Sequence, residues 1–238
     1  MFTKKIQNFL AVAAMFFIVI AALLTSFQVA IYGDSDYGFY ESLYEKYHVT
    51  DDLDMEMDDV MEVTGYMMDY LIGREDVLSI VTDVDGKEQD FFNEQDRLHM
   101  ADVRNLFLGG LKLRNILLVL AAVLIAVLIG CKADWKHLLA KAYSWALAVF
   151  LAVIVFLGIA FAIDFTKCFT IFHEIFFTND LWLFDPETDY MIRMLPEGFF
   201  SDMVIRIGLV FLVMLAVIWV FFRIWNRALK KENDKCDL

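Results

Sequence analysis

Four long apolar runs, Phe9 to Ile31, Leu106 to Gly130, Tyr143 to Ile163 and Met203 to Phe222, constrain this 238-residue chain more than anything else in it. A bilayer core demands about 20 apolar residues per helix, and a backbone with no water to satisfy it can cross only as helices or as a closed barrel. The length of the uninterrupted runs excludes the barrel. With 60% hydrophobic residues, 23 Phe and 2 Pro, the chain is too apolar for a soluble domain, although its net charge is -13. The second run is the weakest. Its purely apolar part, Ile116 to Ile129, is short, and Lys112 and Arg114 interrupt its upstream extension. Long basic side chains can snorkel to the headgroups, so the run still reads as a span.

Charge orients these spans. Lys4 and Lys5 precede the first, Lys132, Lys136 and Lys141 lie between the second and third, and Arg223, Arg227, Lys230, Lys231 and Lys235 follow the fourth. Clusters of this kind belong on the cytoplasmic side. The two other segments are acidic: Gly33 to Arg104 holds 21 acidic and 5 basic residues, and Asp164 to Asp202 holds 8 and 2. Both are expected outside, with both termini inside. The expected divisions are a tail and first span (1–32), an acidic extracytoplasmic cap (33–104), a second span (105–130), a cytoplasmic loop (131–142), a third span (143–163), an outer interfacial helix and loop (164–202), a fourth span (203–222) and a cytoplasmic tail (223–238). The first span is too long for a signal peptide and reads as an uncleaved anchor. Cys131, Cys168 and Cys236 fall in different places, so no disulfide is expected. The fold class is therefore an all-α integral membrane protein with four transmembrane helices, a small and mostly helical cap, and an interfacial aromatic segment.

Within the cap, Thr50 or Asp51 is an N-cap for a helix running to about Leu71 and closed by Gly73. Val77 to Val81 can form a strand and Asp85-Gly86 a turn, compatible with a hairpin. From Asn93 a second helix runs into the second span, which sets His99 just above the membrane with Asp102, Val103 and Leu106 on its face. Phe165, Phe169, Phe172 and Phe176 form a stripe suited to lipid, with His173 on its border. A polar loop threaded with aromatics follows, and Ser201 is a candidate N-cap for the fourth span.

Of four histidines, His137 is expected in the cytoplasm and His48 in the cap, while His99 and His173 share the outer boundary. A single interfacial histidine is ordinarily an amphipathic anchor. Two at one depth, each beside carboxylates, can hold a base and a proton donor together. The alternatives are weaker. Cys168 could be a nucleophile but is more often an inert small hydrophobe at such a place. No G-x-S-x-G is present, the set His99, His173 and Asp185 lacks a metal-site spacing, and Asp51 to Asp59 lacks the order and glycine of a calcium loop. The acidic outer surface argues against nucleic acid.

The run Glu94, Gln95, Asp96, Arg97, Leu98, His99, Met100, Ala101, Asp102, Val103 resembles one signature of the bacterial lipoprotein intramolecular transacylase family. The run from Phe172 and His173 through Asn179, Asp180, Leu181 and Trp182, followed by Asp185, Asp189, Pro196, Phe199 and Phe200, resembles a second. The likeness covers Glu94 to Phe222 and does not extend to the cap from Gly33 to Asp90. What it implies is an acyltransferase of the Gram-positive cell membrane. The sn-2 chain of a diacylglyceryl-cysteine lipoprotein moves to the cysteine α-amino group, giving the lyso-form, with no cofactor or metal. The substrate amine is then the nucleophile, which accounts for the missing nucleophile motifs.

On this basis His99 and His173 are the candidate catalytic pair, with Glu94, Asp102, Asn179, Trp182, Asp185 and Asp189 in support. Asp102, with Asp185 or Asp189, would orient the rings as a carboxylate does in a triad; which histidine is the base is left open. The partners expected are the diacylated lipoprotein and membrane lipid. Two competing readings are a non-catalytic scaffold or sensor with an acidic partner-binding cap, and an acyltransferase working through a Cys168 thioester.

Overall fold

The structure is a computed structural model that describes residues 2–236, apart from the side chains at 226 and 228–236. The basic groups of Lys230, Lys231 and Lys235 and the thiol of Cys236 thus lie outside the described residues. Each apolar run is helical: α1 (Lys4–Tyr32), α5 (Glu94–Gly130), α6 (Trp135–Ile163) and α9 (Glu197–Cys236). All four are long and apolar enough to cross a membrane. Between them lie α2 (Gly38–Lys46), α3 (Val49–Leu53), α4 (Met57–Leu71), the strands β1 (Val81–Val84) and β2 (Lys87–Asp90), then α7 (Phe165–Phe176) and α8 (Tyr190–Met194). The chain is an all-α integral membrane protein in which the two short strands are the only sheet among the described residues.

The fold divides into two compact units, one of residues 1–29, 111–159 and 206–238, the other of 30–110 and 160–205. The first is the apolar bundle. Its buried core joins Ala11, Ala14, Met15 and Val19 to Leu128, Leu139, Ala142, Tyr143, Ala146, Phe211 and Leu215. In lipid the hydrophobic effect does not drive helices together, so close packing must, and the alanines at helical spacing let backbones approach. Tyr143 donates its hydroxyl proton to the Leu215 carbonyl at 2.5 Å, which satisfies a polar group inside this core. Arg114, expected to snorkel, instead donates to the side-chain oxygen of Gln28.

The second unit has its own core. Tyr44 is fully buried, shares a 2.7 Å hydrogen bond with Thr64, and stacks on Phe199 with ring centroids 5.8 Å apart. Leu53, Val60, Val63, Met67, Leu78, Val84, Phe91, Phe92 and Met194 complete the packing. Arg193 donates to Asp85 at 3.0 Å and to the backbone carbonyl of Asp52, which ties α8 to the cap.

Three local expectations change. The cap helix expected from Thr50 to Leu71 is two helices, because Asp54 adopts a left-handed conformation (φ 49°) that ends α3 before Met57 opens α4. The strand expected at Val77 to Val81 begins instead at Val81, where pairing with Asp90 starts. Its turn lies at Asp85-Gly86, with φ of 53° and 69°, the double left-handed geometry of a tight hairpin. Ser201 lies inside α9, whose first residue is Glu197, because Pro196 stops the preceding chain and is preorganised for a helix start. Helix α2 carries no recognisable N-cap in sequence. Asp34 supplies one from four residues upstream of Gly38, its carboxylate accepting from the Phe39 N–H at 3.1 Å.

Candidate active site

At 37 residues α5 is about 55 Å long, well beyond the 30 Å or so of a hydrocarbon core. Its first turns precede Leu106, where the apolar run begins, and His99 is on them. The helix starts through a reciprocal cap: the Asn93 side-chain oxygen accepts from the Asp96 N–H at 2.9 Å, and the Asp96 carboxylate accepts from the Asn93 N–H at 3.0 Å. Helix α7 is opened by Asp164, whose carboxylate accepts from the Lys167 N–H at 2.9 Å, and it carries His173 in its last turn.

The fold brings these two histidines together. Their rings lie 6.1 Å apart between centroids and within 27° of parallel. Both are buried, with 6% of His99 and 7% of His173 exposed. His99 sits against Phe177 and Phe184, each with its centroid 5.2 Å away, while Trp182 stacks on His173 at 4.9 Å and Phe169 meets its edge at 4.4 Å.

The two imidazoles differ in their hydrogen bonds. His173 Nδ1 lies 2.7 Å from the Phe169 carbonyl, which can only accept, so Nδ1 carries the proton and Nε2 keeps its lone pair. His99 Nδ1 is buried without a partner. Burial depresses the His99 pKa to about 4, helped by His173 and opposed by Asp102. Burial also lowers that of His173, against the Phe169 hydrogen bond. Both rings are neutral near pH 7, one with a defined acceptor nitrogen.

Around them the supporting residues divide. The Asn179 amide donates to Asp102 at 2.9 Å, so Asp102 is held by an amide and does not clasp a ring as a triad carboxylate would. The Asn179 backbone carbonyl accepts from the Trp182 indole at 2.9 Å, which sets the plane stacked on His173. Asp189 is buried, accepts from the Asp185 N–H at 2.7 Å and receives the Asn93 side-chain amide. Asp185 itself accepts from the Glu187 N–H at 3.0 Å, and it shapes the loop without touching an imidazole. Glu94 is exposed on the first turn of α5.

Several contributors lay outside the sequence selection. Gln95 donates to the carbonyls of Leu181 and Leu183, both at 3.0 Å, and pins the loop that carries Trp182 and Phe184. Asn93, held by its reciprocal cap with Asp96, bridges α5 to the Asp189 end of that same loop, and Phe177 and Phe184 wall the pair. Gln95 and Asp96 stand in the first family-like run, and the Asn93-x-x-Asp96 capping spacing is the signal that could have singled out Asn93. The other histidines are exposed and face acids three residues away, His48 toward Asp51 and His137 toward Asp134. Cys168 is a half-buried free thiol on α7, and five residues before His173 it points about 140° away around the helix. Among the described residues no group of three metal-ligating side chains converges.

The model of the lipoprotein intramolecular transacylase Lit family matches residues 12–200. The chain belongs to that family. It is accordingly an enzyme of the transacylase class. The sequence resemblance to the family, marked by the histidine-bearing runs, thus holds over most of the chain. Among solved structures, the membrane integral lipoprotein intramolecular transacylase Lit from Bacillus cereus superposes with a TM-score of 0.73 at 20% identity, covering 95% of this chain and 100% of that one. A form of the same Bacillus cereus protein with one histidine replaced by alanine matches with a TM-score of 0.72 at 21% identity over 95% and 96%. At that identity the likeness establishes the fold. No curated protein sequence matches the chain.

Proposed function

We propose that the protein transfers the sn-2 acyl chain of a diacylglyceryl-cysteine lipoprotein to the α-amino group of that cysteine, with His99 and His173 as its acid–base pair at the outer face of a bacterial cell membrane. The observation that carries this reading is the convergence of two buried imidazoles, 6.1 Å apart, in a member of this family. A scaffold has no reason to bury and appose them.

The Nε2 of His173, its lone pair free because Nδ1 is committed to Phe169, takes the proton from the amine as the nitrogen attacks the ester carbonyl. The carbon–nitrogen bond forms, the carbon–oxygen bond to the glycerol sn-2 position breaks, and the same proton passes to the leaving oxygen. His99, whose burial keeps it neutral, donates a hydrogen bond to the oxygen that becomes negative in the tetrahedral intermediate, as a neutral imidazole with a depressed pKa can. Trp182, Phe177 and Phe184 exclude water, which would otherwise hydrolyse the ester. The basic clusters flanking the spans favour cytoplasmic termini, and with them an outer position for both histidines.

The test is expression in a bacterium that lacks N-acylating enzymes, followed by mass spectrometry of the N-terminal cysteine of one lipoprotein. Wild-type protein moves an acyl chain from glycerol to nitrogen. His99→Ala and His173→Ala, still present in the membrane, each lose transfer by about a hundredfold or more. Unchanged diacyl lipoprotein with the wild type, or full activity in both variants, would remove the proposal.

A further inference from the structure

Asp96 is a buried acid that the chemistry above does not use. It has no exposed surface, its Oδ2 accepts from the Asn93 N–H at 3.0 Å, and its Oδ1 is buried with no partner at all. Asn93, which caps the same turn, extends its side-chain amide to Asp189 Oδ1. Asp189 is 3% exposed, and its Oδ2 accepts from the Asp185 N–H at 2.7 Å and the Thr188 hydroxyl at 3.3 Å. One asparagine therefore stands between two buried carboxyl groups. Asp189 has three donors, enough for an ionised group; Asp96 has one.

Among neighbouring charges, Arg97 is turned away, donating to Asp90 at 2.5 Å and to the Leu78 carbonyl at 2.9 Å. On the same face of α5 His99 follows one turn on, and it is buried and neutral. On the loop side Asp185 adds a third acid. Arg97 favours an ionised Asp96 only as the smallest of the influences on it, and among the described residues no cation forms an ion pair with Asp96; a buried ionised carboxylate without one is strongly disfavoured.

We infer that Asp96 is a positioning residue which, as a neutral carboxyl, joins the first turn of α5 through Asn93 and Asp189 to the loop bearing Trp182 and Phe184, and so holds His99 in register with His173. Ionisation opens this latch by setting two like charges on either side of Asn93. Burial and the nearby Asp189 charge move the Asp96 pKa up to about 7, which brings the change near neutrality. The inference rests on the acid–base reading of the two histidines, and its test separates failure of one from failure of the other.

Purified protein in detergent is given a synthetic diacylglyceryl-cysteine peptide, and the N-acyl lyso product is followed by mass spectrometry from about pH 5.5 to about pH 9. Wild-type rate falls about tenfold per pH unit above about pH 7 relative to Asp96→Asn, which mimics the neutral acid and keeps an oxygen for the Asn93 N–H. Asp96→Ala is slow at every pH and is rescued by Asn. A profile for Asp96→Asn that parallels the wild type throughout overturns the latch and leaves the histidines untouched.

Thermal midpoints give a readout that needs no activity. The wild type loses ground to Asp96→Asn as pH rises from about 4 to about 7 and levels off beyond, because the native carboxyl holds its proton where the unfolded one has released it. A constant difference across that window sinks the inference. A wild type inactive at every pH would instead sink the catalytic reading, and the midpoint series would still decide whether the latch exists.

Discussion

His99 shows how much a single environment can change a side chain. Its pKa is depressed to about 4 from an ordinary 6.5, so the native ring stays neutral in a range where the unfolded one is protonated. As pH falls through about 6.5 the unfolded chain gains a proton first, and stability drops until about pH 4, by on the order of 3 kcal/mol at most. Asp96 acts in the opposite sense across much of the same window, since its native form holds an extra proton there. The whole protein can therefore show a flat acid profile that conceals both. Comparison with His99→Gln exposes the histidine's share: the excess stability of the wild type over the variant shrinks as pH is lowered from about 7 to about 4 in thermal melts. A difference independent of pH would mean that His99 is not desolvated as the structure has it.

At the scale of elements, the site depends on how α5, α7 and the 177–189 loop are fastened, and the cap on how α2 meets the start of α9. The latter contact is intimate. A Cβ at Gly198 would overlap the Tyr47 ring, while Tyr47 also donates to Asp202 at 2.9 Å and Lys46 pairs with the same carboxylate at 2.5 Å. The ring is held at its tip and cannot swing aside cheaply. Gly198→Ala is accordingly expected to destabilise by about 1–3 kcal/mol, as overpacking does, and to loosen the Tyr40 and Tyr44 contacts with Phe199. Differential scanning fluorimetry checks the size. Limited proteolysis checks the place, since cleavage in the segment around Tyr47 should become faster. The exposed Lys46–Asp202 pair adds little by itself, because such a bridge is worth about 0–1 kcal/mol.

Across the whole molecule, the question is which way the four spans run. Basic residues at Lys4 and Lys5, at Lys132, Lys136 and Lys141, and at Arg223 and Arg227 all call for the same side, and the acidic segments alternate with them. A reporter active only in the cytoplasm should work at the N-terminus and fail when inserted at the Asp85-Gly86 turn, which the hairpin presents at its tip. The reverse pattern would turn the topology over and carry the histidines to the wrong leaflet for the proposed substrate.

The apolar runs alone determined the four helices and the membrane as their solvent, because a bilayer admits few other solutions and the required length is written directly in the residues. The two histidines were also legible, since the runs around them resemble the family signatures and charge set them at one depth. Nothing local could show that 74 positions of separation close to a 6.1 Å ring pair, that Asn179 rather than an imidazole engages Asp102, or that Asp96 loses all contact with water. The left-handed turn at Asp54 that divides the cap helix was equally hidden, as an aspartate there is compatible with a continuing helix. Such features depend on which groups tertiary packing buries together, and burial sets both a proton's affinity and a hydrogen bond's partner. Only the folded chain could assign His173 its free nitrogen, leave His99 neutral and raise the proton affinity of Asp96.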